Sequence, residues 1–337
     1  MKRIIKQTIK NCIPYGIIKA RENRIISNMP VTEPVLPHID GTEPEIYNKN
    51  GDKMRTFYLQ DSLTPDYPLS FVYGSKPSCV NWDRYNYGLP IHFYSHDNVL
   101  RTKKTAVKKF AYFIESEAIL GCDYELFDKN PGLDKEFDAI FTTSEKHMDK
   151  YANAKFCPAG GLWYTKPSGG GIKDDRRYEK KNKNISIISS DKTMCDLHTA
   201  RIEISKKLKA NGLADTYGTF DGGPKVKINQ TLDDYRYSIA FENNVTSYYF
   251  TEKIMNCFAS QTVPIYVGAT KIGDFFNADG IIMTTAEELF ENPENVLKQC
   301  TPEEYERRLP AILDNYNRVW EYSVIEDWLY KHYNDMF

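Results

Sequence analysis

Two lobes, each a parallel β-sheet flanked by helices, are what this sequence predicts, and three observations predict them. The chain has 337 residues, enough for two domains at about 150 residues each. Short apolar or alternating runs recur between segments of helical periodicity, which is the rhythm of an α/β sheet wound on both sides. At mid-chain that rhythm breaks at 166–183, where Gly169, Gly170 and Gly171 stand among seven basic and three acidic residues. Such a composition marks an exposed connection between lobes.

The elements follow in order. Residues 1–26 carry seven cations (Lys2, Arg3, Lys6, Lys10, Lys19, Arg21, Arg24) against the single acid Glu22. Ile5, Ile9 and Ile13 recur among them at helical spacing, so a helix there is basic on one face and apolar on the other, the pattern of segments that lie on anionic bilayers. A solvated basic tail, or a helix docked on the body, is the alternative. Residues 30–68 hold six prolines and read as a loop-rich stretch with few regular elements. Strands are then expected at Leu69–Tyr73, Ile91–Tyr94, Phe110–Ile114 and Ala139–Thr142. Beyond the connection, the pattern gives strands at Ile185–Ser190, Tyr237–Phe241, Val263–Gly268 and Gly280–Thr284. Helices are expected over Cys195–Ala210, stopped by Asn211-Gly212, and over Thr251–Ser260. Residues 301–337 read as a helical, acidic tail whose Trp320, Tyr322, Trp328 and Tyr330 pack back on the body.

Composition excludes several function classes. The 44 Lys+Arg nearly balance 46 Asp+Glu, so the strong basic excess of a dedicated nucleic-acid binder is missing. That balance conceals the basic first segment and a tail with eight acidic against four basic residues. The seven cysteines are scattered and form no C-x-x-C, which suits a reducing compartment rather than a disulfide framework or a zinc site. No apolar stretch is long enough to span a bilayer and no secretory signal is evident, so a cytoplasmic location is expected.

The chemistry concentrates in 237–268, YSIAFENNVTSYYFTEKIMNCFASQTVPIYVG. A strand ends in Phe241-Glu242-Asn243, and a helix opens at Thr251-Glu252-Lys253. A helix N-terminus offers unpaired N–H groups and a positive dipole end, so it can hold a phosphate, and Lys253 adds a full charge. Glu252 suits a ribose diol, and Arg201 offers a forked cation for a diphosphate. Taken alone, the TEK triplet also reads as a capped helix with a surface lysine.

This run resembles the hallmark of the α1,3/1,4-fucosyltransferases, glycosyltransferase family ten, whose pattern is approximately F-E-N-S, then D-Y-[VI]-T-E-K, then V-P-[IV]-x-x-G. Here stand Phe241-Glu242-Asn243-Asn244, Tyr249-Phe250-Thr251-Glu252-Lys253 and Val263-Pro264-Ile265-Tyr266-Val267-Gly268. The resemblance is good over 183–290 and looser over 105–165. It implies the GT-B architecture, two Rossmann-like lobes facing across a cleft. The lobe at 184–300 would take a GDP-sugar and the lobe at 27–165 the glycan acceptor. Carried onto matching positions, Arg201 and Lys253 neutralise the diphosphate, Glu252 holds the ribose, and Asn243 and Tyr249 contact the sugar phosphate. Ser190 and Lys192 sit where such folds approach the diphosphate. Three departures lie near the expected donor sugar: Asn244 for Ser, Tyr248 for Asp, and Phe250 for a β-branched residue.

Inverting transfer needs a base for the acceptor hydroxyl, and a cleft carboxylate suits that role. The resemblance places it after a strand in a context similar to F-x-x-E-S-P, which Phe110–Glu117 matches with Glu115 as the base and Glu117 as the spare. His96 and Asp97, after the Ile91–Tyr94 run, form another candidate pair. No D-x-D holder is present, so no metal is strictly required, and a divalent cation is expected to be stimulatory at most. The pairs Asp174-Asp175 and Asp233-Asp234 read as solvated. The expected reaction moves L-fucose or a related 6-deoxyhexose from GDP to an oligosaccharide or lipid-linked acceptor. With the basic segment 1–26, the resemblance suits a peripheral enzyme at the inner face of a bacterial membrane, in lipopolysaccharide or surface polysaccharide synthesis. A same-fold transferase with another nucleotide sugar, or a catalytically silent carbohydrate-binding relative, is the alternative.

Overall fold

The computed structural model describes residues 35–62, 70 and 75–337. The basic segment 1–26 and nearly all of the expected strand at Leu69–Tyr73 lie outside them. Two separate parallel sheets carry the chain, as expected from the alternation of strands and helices. The first is built from β1 (Arg55–Gln60), β2 (Val80–Asp83), β3 (Ile91–Tyr94), β4 (Lys108–Phe113), β5 (Ala139–Thr142) and β6 (Ala154–Phe156), in the spatial order β2-β1-β3-β4-β5-β6. Helices α1 (Glu117–Tyr124), α2 (Leu126–Lys129) and α3 (Glu145–Lys150) belong to this half.

β1 corrects the expectation of a loop-rich 30–68. Its sequence RTFYLQ buries Thr56, Phe57, Tyr58 and Leu59, and the prolines that suggested a loop flank it without entering it. A run buried on both sheet faces lacks the alternation that announces a half-exposed strand. Phe57, Phe93, Phe110 and Phe141 line one face of the sheet, while Tyr58, Tyr94, Ala111 and Phe113 line the other, with Tyr124 of α1 packed on it.

The second sheet contains β7 (Lys183–Ile188), β8 (Asp215–Tyr217), β9 (Tyr235–Phe241), β10 (Val263–Val267) and β11 (Ile282–Met283), in the order β11-β10-β9-β7-β8. Its helices are α4 (Asp196–Ala210), α5 (Glu252–Ala259), α6 (Ala286–Glu291) and α7 (Pro293–Leu297). Helix α4 ends where the sequence marks it: Asn211 is the C-cap and Gly212 has φ +64°, a conformation that suits glycine.

The connection 166–183 is mostly exposed, but it is tied down along its length. A Cβ on Gly169 would stand 2.0 Å from the Trp163 carbonyl oxygen, and one on Gly171 would enter the Tyr164 ring. These glycines allow close backbone approach rather than freedom. Three of the four aspartates read as solvated are anchors of this segment, whereas Asp234 is exposed as expected. Asp233 accepts from Tyr164 Oη at 2.5 Å and pairs with Arg177 at 3.2 Å. Asp174 pairs with Lys180 at 2.8 Å, and Asp175 accepts from Tyr316 Oη at 2.6 Å.

The tail is helical, as α8 (Pro302–Val319) and α9 (Ile325–Tyr333). It leaves the second sheet and returns to the first. Asp327 accepts from the backbone N–H groups of Ser78 and Cys79, each at 2.8 Å, and Glu326 accepts from Trp82 Nε1 at 3.2 Å. Phe337 packs on Phe57, Phe93 and Phe110, so the last residue of the chain helps close the first core.

Candidate active site

Both sheets present the carboxyl ends of their strands to the site, the position where open parallel sheets bind ligands. In the second sheet, Glu242 follows β9 immediately and is completely buried. Its Oε1 accepts from Thr251 N at 2.9 Å and its Oε2 from Thr251 Oγ1 at 2.7 Å, with Lys253 Nζ at 3.3 Å. Burial pushes its carboxyl up, against the pull of Lys253. Gly268 is obligatory here, because a Cβ would meet the Tyr266 ring at 2.3 Å and Glu242 Cγ at 2.7 Å. The outer residues of the motif thus have a packing reason to exist.

Thr251 is the N-cap of α5, and its Oγ1 accepts from Lys253 N at 3.4 Å. Glu252 and Lys253 open the helix, half-buried, with Lys253 Nζ 3.2 Å from Glu252 Oε1. Burial opposes both charges but is outweighed: Lys253 and hydrogen bonds lower the Glu252 carboxyl, and Glu252, with Glu242 adding to it, raises the Lys253 ammonium. Arg201 reaches the same place from α4. It is 7% exposed, with Nη1 at 3.4 Å from the Phe241 carbonyl and Nη2 at 3.4 Å from Ser190 Oγ. Its buried Nε has no hydrogen-bond partner among the described residues. A buried guanidinium with an unused donor, beside a helix N-terminus and a lysine, is built for an anion. Lys192 lies exposed on the loop before α4, with Ser190 half-buried near it.

Asn243 is held by the start of α4. His198 Nε2 lies 2.8 Å from Asn243 Oδ1, and Cys195 Sγ donates to the Asn243 carbonyl at 3.4 Å. Glu242 and His198 are site residues that sequence reasoning passed over. A signal for His198 exists, since it precedes Arg201 by three residues and so shares its helix face.

In the first sheet, Glu115 lies just beyond β4 and is half-buried. Its Oε1 accepts from Ser116 N at 2.7 Å and from Tyr249 Oη at 3.1 Å. Oε2 has no hydrogen-bond partner among the described residues. Tyr249 therefore spans from the motif of the second lobe to the carboxylate of the first. Its phenol is pushed well above its ordinary value, by burial first and by Glu115 next. The spare acid Glu117 starts α1, and its charge acts on Tyr124 and His147. His96 does not pair with Asp97, which bonds the exposed Arg101 instead. Its Nδ1 is 2.5 Å from Asp123 Oδ2 and its Nε2 3.5 Å from Asp61 Oδ1.

The departures from the family pattern fall largely outside this cluster. Tyr248 packs on Phe156 and Phe275 and takes the Lys271 ammonium over its ring at 4.9 Å. Lys271 in turn bonds Glu145 of α3 at 2.6 Å, and Glu145 also bonds Ser247, so this strip clasps the two lobes. Phe250 is fully buried against Phe275, Phe276 and Tyr322. Among the described residues, no group of three or more His, Cys, Asp or Glu is placed to hold a metal ion, and no helix is long and apolar enough to cross a membrane.

Comparison with known proteins bears on the second lobe and on the fold. Residues 178–299 match the family model described as glycosyltransferase family 10 (fucosyltransferase) C-term. An α-(1,3)-fucosyltransferase FucT of Helicobacter pylori is 35% identical over 54 residues, which is 16% of this chain and 11% of that protein's length. Among solved structures, an α1,3-fucosyltransferase with GDP superposes with a TM-score of 0.50 at 14% identity, over 88% of this chain and 94% of the other. At that identity the likeness concerns the fold, the two-lobed GT-B arrangement.

Proposed function

We propose that this chain, an enzyme whose second lobe is a glycosyltransferase family 10 domain, transfers L-fucose or a closely related 6-deoxyhexose from GDP to a glycan hydroxyl with inversion. The observation that carries the proposal is the hydrogen bond from Tyr249 to Glu115. It brings the carboxylate suited to be the base against the cluster suited to the diphosphate.

In this reading the second lobe, 184–300, is the donor lobe, and the first, 27–165, meets the acceptor. Arg201, Lys253 and the N-terminus of α5 receive the diphosphate, with Ser190 and Lys192 at its margin. Glu252 accepts from the ribose, and Asn243 and Tyr249 contact the sugar phosphate. The free Oε2 of Glu115 takes the proton of the acceptor hydroxyl as that oxygen bonds to the anomeric carbon. The bond from that carbon to the diphosphate breaks on the opposite face, and GDP leaves with the bonding pair. Cations held in a half-buried site offset the leaving charge before the reaction begins, so little reorganisation is needed. The acceptor is assigned as an oligosaccharide or lipid-linked glycan of bacterial surface polysaccharide. The basic segment 1–26 is assigned to the anionic cytoplasmic face of the membrane.

The test is mass spectrometry of product formed from GDP-fucose with a panel of glycan acceptors. A mass gain of one deoxyhexose supports the reading. Thermal stabilisation by GDP-mannose, UDP-GlcNAc or UDP-galactose in preference to GDP-fucose would replace the donor. Donor binding without any product would leave a carbohydrate-binding relative. Asn244 and Tyr248 motivate the different-donor alternative, and Tyr248 also has a packing role between the lobes.

A further inference from the structure

Asn243 is assigned above to the sugar phosphate, but a carboxamide can present either a donor or an acceptor to a ligand. Which one it presents is set by its neighbours. His198 is the third residue of α4 and is 3% exposed. The backbone N–H of Met194 points to its Nδ1 at 3.2 Å. A ring nitrogen that accepts carries no hydrogen, so the neutral ring holds its proton on Nε2. That nitrogen faces Asn243 Oδ1 at 2.8 Å and donates to it. The amide oxygen of Asn243 is thereby occupied. Its NH2 group has no hydrogen-bond partner among the described residues. Cys195 holds the Asn243 carbonyl from the same turn, so backbone and side chain are both fixed from the start of α4.

The surroundings keep His198 in the form this relay needs. Burial first, then the charges of Arg201, Lys192 and Lys253, depress the imidazole to about 4. Protonation would place a hydrogen on Nδ1 against the Met194 N–H and remove the acceptor.

We propose that His198 is a positioning residue for the donor: its Nε2–H fixes the Asn243 carboxamide so that the amide NH2 is presented to an oxygen of the anionic nucleotide-sugar ligand. An unheld amide would spend part of its time turned over, with its oxygen facing the phosphates. The inference rests on the proposed donor site. It adds a residue outside the FEN and TEK segments and explains why a buried neutral histidine stands among three cations.

The experiment is calorimetric titration of the full chain with GDP, on wild type, Asn243→Ala, His198→Leu, His198→Gln and the double variant His198→Leu/Asn243→Ala. Expected is a loss of about 5- to 10-fold in affinity for Asn243→Ala and for His198→Leu, the range of one charge-assisted hydrogen bond. The double variant should be no weaker than Asn243→Ala, because a residue acting only through Asn243 has nothing left to lose. His198→Gln, whose amide can still donate, should recover to within about 2-fold of wild type. Multiplying losses in the double variant, or an unaffected His198→Leu beside a weakened Asn243→Ala, would overturn the positioning role while leaving the donor site standing. A wild type that does not bind GDP would overturn the donor site and the positioning role together. If His198→Leu fails to fold, long-range 15N–1H correlation on wild type at pH 7 decides: an Nε2–H tautomer supports the role, and an Nδ1–H tautomer or an imidazolium overturns it.

Discussion

Glu115 and Glu242 each follow a parallel strand, one in each sheet, and they have come to opposite states. Glu242 is fully buried, and both oxygens are occupied by Thr251, with Lys253 beside them. It is a strut that joins the end of β9 to the start of α5. Glu115 is half-buried, one oxygen is loaded with two donors, and the other is open. A saturated carboxylate holds a shape, whereas a half-saturated one, fixed at one oxygen, can accept a proton at the other. Glu242 is thus complete without a ligand, whereas Glu115 keeps one oxygen for a substrate to complete.

Five perturbations would break or sharpen that contrast. The largest effect falls on the strut. Glu242→Ala leaves Lys253 and the Thr251 N–H without their buried partner, and urea unfolding should register a loss of about 3–5 kcal/mol. Next is the proposed base: Glu115→Gln should lower turnover at least 10²-fold while GDP affinity stays within about 2-fold, read by initial rates and titration. Survival of turnover would remove Glu115 from that role. Lys253→Ala should weaken GDP binding by about 10- to 100-fold, and unchanged binding would dissolve the diphosphate assignment.

A smaller effect appears in pH dependence. His198 in the folded chain is depressed to about 4 from an ordinary 6.5, so on acidification the unfolded chain takes up the proton first. Its contribution is whole above about pH 6.5 and is lost as pH falls toward about 4. His198→Gln should reduce that acid loss by about 1–2 kcal/mol in urea titrations between pH 7 and about 4.5. His92, buried in the first sheet and also depressed to about 4, retains its own share. Smallest is the clasp: Glu145→Gln removes an exposed ion pair with Lys271 and should shift the melting temperature by about 2 °C or less.

Legibility in the sequence followed physical kind. The strands Ile91–Tyr94 and Ala139–Thr142 and the helix Asp196–Ala210 were readable because their signals are local: a short apolar run, or a periodic face with a stop. β1 was not, because a run buried on both faces, flanked by prolines, looks the same as a collapsed loop. The glycine triplet marked the exposed connection but not the close contacts its glycines make. Composition reports that glycine permits motion, but whether it is used for motion or for close contact depends on what lies beside it.

The site divides along the same line. Thr251, Glu252 and Lys253 were visible because a helix N-terminus with its cap is a contiguous feature. Glu242 was visible only as part of a motif, and its role as a strut needed Thr251 and Lys253 folded around it. His96 seemed to belong with its neighbour Asp97, yet it bonds Asp123 and lies beside Asp61, which only the tertiary fold brings to it.

Sequence by itself determined the family motif, the two-sheet architecture and the charges that suit a diphosphate, since each is written in residues close along the chain. Tertiary structure alone decided which carboxylate stands against that motif, which way the Asn243 amide turns, and that Tyr248 serves the clasp between lobes. Tyr249 and Glu115 are 134 residues apart, and His198 and Asn243 are 45 apart. Hydrogen bonds act over about 3 Å, so the first pairing exists only once the two sheets bring their carboxyl ends to one site, and the second only once β7 and β9 lie side by side.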